Sequence, residues 1–68
     1  MDVTEYRLLQ HRRSGELWAI RVEGFELTGT FGPLPARVSP RELAALPYDD
    51  DQDTAEWVTR YIEEFATV

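Results

Sequence analysis

Two hydrophobic rhythms divide the chain. Between Tyr6 and Phe31 apolar side chains alternate with polar ones in runs separated by glycine-bearing turns, whereas Trp57, Val58, Tyr61, Ile62 and Phe65 recur with helical spacing. The first rhythm predicts strands over about 4–12, 16–22 and 25–31, and the second a helix over about 54–66.

Turn chemistry sets a register for the strands. A two-residue loop at Glu23-Gly24 sets Val22 against Phe25, Ile20 against Leu27 and Trp18 against Gly29, where the missing side chain makes room for the indole. A three-residue loop closed by Arg12 and Glu16, with Gly15 in the left-handed position, sets Leu8 against Ile20, Tyr6 against Val22 and Gln10 against Trp18. Both turns then agree on one apolar face of Tyr6, Leu8, Trp18, Ile20, Val22, Phe25 and Leu27. The other face carries Arg7, His11, Arg21, Glu26, Thr28 and Thr30 around an island of Leu9, Leu17 and Ala19. That island is either covered by loop 32–38 through Leu34 or Val38, or is a self-association patch that would support a homodimer.

Pro33 and Pro35 carry the chain off the sheet through loop 32–38. Ser39-Pro40-Arg41-Glu42 has the capping-box spacing with proline at the first helical position, which predicts a short helix over about 40–46 ended by Pro47. Asp53 with Glu56 three residues later marks the start of the longer helix. The predicted fold class is α+β. Residues 1–68 form one small domain, a three-stranded antiparallel β-meander, a short helix, and a C-terminal amphipathic helix packed on one sheet face. Sixty-eight residues bury too little surface for two independent cores, so a single core is expected, with Trp57 central to it.

Composition narrows the functions available. Hydrophobic residues make up 43% of the chain and aromatic ones 12%, enough for a core, and no apolar run approaches the roughly 18 residues of a membrane helix. Cysteine is absent, which removes disulfides and thiolate chemistry, and the lone His11 cannot build a multi-histidine metal site. No cofactor motif is present, because Gly15, Gly24, Gly29 and Gly32 are too dispersed to cradle a phosphate. Ser14 near His11 lacks the strand-to-helix elbow and orienting acid of a hydrolase, so the chain reads as non-enzymatic. All seven basic residues are Arg, and both Lys and Asn are missing, a bias that suggests a bacterial genome, while the first residues carry two acids and no positively charged leader pattern, so a cytoplasmic protein is expected.

Charge is the most informative quantity. The formal net charge is −6, with the excess confined to residues 42–68, where Arg60 stands against eight acids. Asp49, Asp50, Asp51, Asp53, Glu56, Glu63 and Glu64 are the candidate partner-binding residues. An EF-hand loop begun at Asp49 would need glycine at Thr54 and glutamate at Arg60, so calcium binding is not indicated. The expected function is a small protein-interaction domain that presents this acidic helical surface to a basic protein, and imitation of a nucleic-acid backbone is one form of it. The alternative is a nucleic-acid-binding module using Arg7, His11, Arg12, Arg13 and Arg21 on the first hairpin and outer sheet face. The net charge opposes it, and Trp18 or Phe25 exposed beside Arg7 or Arg21 would favour it.

Overall fold

The computed structural model describes residues 3–68. In chain order they form β1 (Thr4–His11), β2 (Leu17–Glu23), β3 (Glu26–Leu34), α1 (Pro40–Ala45), α2 (Gln52–Arg60), a 3-10 turn (Ile62–Glu64) and β4 (Phe65–Thr67). The four strands make one antiparallel sheet in the order β3-β2-β1-β4. The α+β class and the meander of the first three strands are as expected. The fourth strand and the register are not.

Both hairpins close one residue away from the expected positions. In the first, His11 faces Glu16 (N···O 2.8 Å) and the loop is one residue longer, with Gly15 still left-handed at φ +77°. Side chains make that length workable. His11 Nδ1 accepts the amides of Arg13 and Ser14, both at 3.3 Å, and Ser14 Oγ accepts the Glu16 amide at 3.2 Å. In the second, Glu23 faces Glu26, so the loop is Gly24-Phe25, with Gly24 at φ +65° in the first loop position where a glycine relieves the strain. Phe25 therefore leaves the expected core and stands fully exposed at the tip. Irregularities between Arg21 and Val22 and between Leu17 and Ala19 adjust the rest of the β2–β3 pairing.

A shift of one residue moves a strand's side chains to the other face. Leu8 lies opposite Ala19, Leu9 opposite Trp18 and Arg7 opposite Ile20. The sheet is consequently buried on both faces. One face packs Leu8, Leu17, Ala19 and Leu34 beneath Val38, Leu43, Leu46 and Tyr48, and the other packs Leu9, Ile20, Val58 and Phe65 with Trp18, Val22 and Leu27. The single core is thus corrected to two clusters sharing one sheet. The island is corrected with it. The strand β3 runs on to Leu34, which pairs beside Leu17 rather than covering it from a loop, whereas Val38 does pack over the Leu17 and Ala19 cluster, as one alternative held; Leu9 is buried on the opposite side, so these three residues offer no common homodimer patch.

Gly29 is not the indole's seat either. A Cβ at Gly32 would lie 2.8 Å from Trp18 Cδ2 and Cε3, whereas Gly29 faces Arg21 and Tyr48. The α1 helix starts as expected, with Ser39 Oγ accepting the Glu42 amide at 3.2 Å. The longer helix does not run to residue 66. Asp51, rather than Asp53, caps α2, accepting the Asp53 amide at 3.1 Å. The helix ends at Arg60, and after the 3-10 turn the chain extends so that Phe65 pairs with His11. Phe65 thereby enters the core from a strand. On the far side of the sheet, Thr30 exchanges two backbone hydrogen bonds with Asp49, at 2.9 and 2.8 Å, which covers the β3 edge.

Candidate interaction surface

The helix α2 covers only part of its sheet face. Of its own residues Val58 alone is buried, while Trp57 remains 39% exposed and Tyr61 and Ile62, just beyond it, are similarly open. Beside α2 lies an open groove of about 1050 Å³. Val22, Leu27 and Ile62 supply its accessible apolar surface above the buried Leu9, Ile20 and Val58, and Phe25 stands at one end on the β2–β3 turn. Glu5, Glu26 and Glu56 line it together with Arg7 and Arg60, so the acids are in excess by one. Arg7 is itself held by Glu5 at 2.6 Å, in an exposed pair.

Trp57 joins this groove face to a run of aromatic rings. It packs 5.7 Å from Trp18, 6.3 Å from Tyr61 and 5.7 Å from Phe65, the last edge to face. Phe65 in turn meets His11 edge to face at 5.1 Å. Aromatic contacts of this kind hold ring orientations while leaving the outer surfaces open for contact.

The candidate acids fall into separate groups. Asp49, Asp50, Asp51 and Asp53 gather before and within the first turn of α2, Glu56 lines the groove, and Glu63 and Glu64 follow the far end of the helix. Two of the acids organise the loop. Asp49 Oδ1 accepts the Asp51 amide at 3.0 Å, and Asp51 Oδ2 accepts the Thr54 hydroxyl at 3.2 Å in addition to its cap. Glu64 lies 3.5 Å from His11 Nε2. Among the described residues, no three His, Asp or Glu side chains converge as metal ligands.

The candidate basic surface is divided by the register. Arg7 sits toward the groove, whereas Arg21 pairs across from Tyr6 on the other face. There the Arg21 guanidinium donates to Thr28 Oγ1 at 3.0 Å and to the Thr28 carbonyl at 2.9 Å, and lies 5.8 Å from the Tyr48 ring centroid. Arg12 and Arg13 are exposed on the first turn, and His11 is occupied in closing that turn. The condition set for nucleic-acid binding is met in one respect: Phe25 is exposed and shares the groove with Arg7.

Phe25, Trp57, Tyr61 and Ile62 were not legible as surface residues because their apolar character fitted a core. One signal did point to a doubly covered sheet. The runs Leu8-Leu9 and Leu17-Trp18-Ala19-Ile20 place apolar residues on both faces of a strand. No helix among the described residues is long and apolar enough to cross a membrane. Comparison with protein families, curated proteins and solved structures finds no match.

Proposed function

We propose that this chain is a non-enzymatic protein-interaction domain whose α2 face receives a basic segment of a protein partner. The observation that carries this reading is the open apolar groove beside α2, with acids in excess along it and acidic groups at both ends of the helix. Aliphatic anchors of a partner would fill the groove. The carboxylates would steer a cationic partner toward it and set its preference by charge, an effect that weakens as salt screens exposed groups. The same acids also support imitation of a nucleic-acid backbone, although they form three groups along and beyond α2 rather than one continuous row.

Selection of a random peptide library on the folded domain tests the proposal. Peptides carrying net positive charge and aliphatic residues should be enriched, and their binding should weaken between low and physiological salt. Enrichment of acidic peptides, or of none, would contradict it.

Nucleic-acid binding remains the second reading because Phe25 and Arg7 share the groove. It ranks lower because Glu5 already pairs with Arg7 and the groove's acids exceed its Arg residues. Retention of labelled RNA or DNA on a filter at low salt would reverse this order.

A further inference from the structure

Alternation along β1 reveals an unfilled lane at the edge of the sheet. The Val3 carbonyl accepts from Gly24 and the His11 amide donates to Glu16, so odd-numbered residues of β1 direct their backbone groups toward β2. Even-numbered residues point the other way. Val68 donates to the Leu8 carbonyl at 2.9 Å and Arg12 donates to the Glu64 carbonyl at 2.8 Å, which places the chain around β4 along the second half of β1. β4 itself pairs only with Leu9, Gln10 and His11. Among the described residues no strand lies beside Thr4–Arg7, and the amides and carbonyls of Thr4 and Tyr6 face that open lane.

Two clefts, one on each face of the sheet, open onto the same place. The groove on the α2 face includes Glu5, Arg7, Leu9 and Thr67, and a smaller cleft of about 410 Å³ on the other face includes Tyr6, Leu8, Arg37, Val38, Leu43 and Thr67. A strand laid in the lane would send alternate side chains to opposite faces, one set into each cleft.

We propose that the lane beside Thr4–Arg7 takes an extended segment of the partner as a fifth strand, aliphatic at the positions that enter the α2-face groove and flanked by Lys or Arg. The proposal rests on the interaction reading above and specifies how the partner is held. The backbone groups of Thr4 and Tyr6 supply affinity independent of sequence, and the groove selects the aliphatic positions. On the cleft side Tyr6 and Arg37 favour small uncharged residues such as Thr. A second copy of this chain fits less well. Both copies carry −6, and an antiparallel partner β1 centred on Tyr6 would bring its Thr4 to Leu8, where Val68 already bonds.

Amide hydrogen exchange with the synthetic peptide Lys-Lys-Val-Thr-Val-Thr-Val-Lys-Lys provides the test. Saturating peptide should slow exchange at the Thr4 and Tyr6 amides by about tenfold or more, and the version with both Thr replaced by Pro should not. Thr4→Pro should weaken the unsubstituted peptide by about tenfold with little change in melting temperature, because the amide it removes faces the lane rather than β2. Peptide binding without protection of Thr4 and Tyr6 would overturn strand addition and leave the interaction reading intact. Failure of this peptide to bind, while selected basic peptides do, would overturn it in the same way. Protection that rises with protein concentration in the absence of peptide, with a dimer in sedimentation, would assign the lane to a second copy. An unsuccessful library selection would instead remove the underlying reading.

Discussion

A methyl group added at Gly32 would sit 2.8 Å from two carbons of the Trp18 ring and 3.1 Å from the Leu17 carbonyl, with backbone on one side and a packed indole on the other. Neither neighbour can yield easily, because the Leu17 carbonyl is strand backbone and the Trp18 ring is also packed, tilted, against Trp57. Gly32→Ala should therefore destabilise the fold by about 1–3 kcal/mol, measured by urea denaturation, and an unchanged midpoint would show that the indole is seated elsewhere. Tyr48 offers a second test at this scale. Its hydroxyl donates to the Leu43 carbonyl at 2.6 Å, and burial, reinforced by nearby Tyr6 and partly offset by Arg21, raises its pKa above the ordinary value of 10.0. The folded chain thus keeps this proton where the unfolded chain releases it. Its contribution is fully present below about pH 10 and is lost as pH rises through the raised folded value. Tyr48→Phe should cost about 0.5–1.5 kcal/mol near neutral pH and make the alkaline fall in melting temperature shallower. An identical alkaline profile in the two proteins would contradict this account of Tyr48.

Among the elements, the end of the chain departs most from its periodicity. Trp57, Val58, Tyr61, Ile62 and Phe65 satisfy a helical stripe, yet the helix ends at Arg60 and Phe65 reaches the core through a strand. Pairing with β1 satisfies backbone groups that another turn of helix would have bonded internally, and it places Phe65 against Trp57 and His11. Only tertiary context distinguishes these outcomes, which is why local spacing did not reveal the strand. The α1 start was legible because Ser39, Pro40 and Glu42 carry their capping chemistry locally. Hairpin existence was legible too, but a glycine can serve in more than one loop position, and the side chains of His11 and Ser14 lengthen the first turn. The strand assignment moves the energetic weight from Trp57 to Phe65. Phe65→Ala should cost about 3–5 kcal/mol, more than Trp57→Ala, because Phe65 is buried and Trp57 is 39% exposed. Equal or reversed losses in thermal denaturation would favour the longer helix.

Across the whole molecule, the uneven charge expected from residues 42–68 is present, but the sheet does not have one buried face and one free one. Burial of both faces accounts for the island of Leu17 and Ala19, separates Arg7 from Arg21, and leaves the partial cover of α2 as one place where apolar surface meets solvent. The candidate acids were legible as a cluster in sequence, whereas the groove was not, since it is lined by four strands, a turn and a helix brought together only by folding. All of this depends on the pairing of β1 with β2. Hα–Hα contacts between those strands, measured by nuclear Overhauser effects, test it directly because non-hydrogen-bonded pairs bring the α-carbons closest. Contacts between Tyr6 and Arg21 and between Leu8 and Ala19 are expected. Contacts of Arg7 with Arg21 and of Leu9 with Ala19 would instead set Tyr6 against Val22 and Leu8 against Ile20, restore a single apolar face and contradict the two-faced sheet.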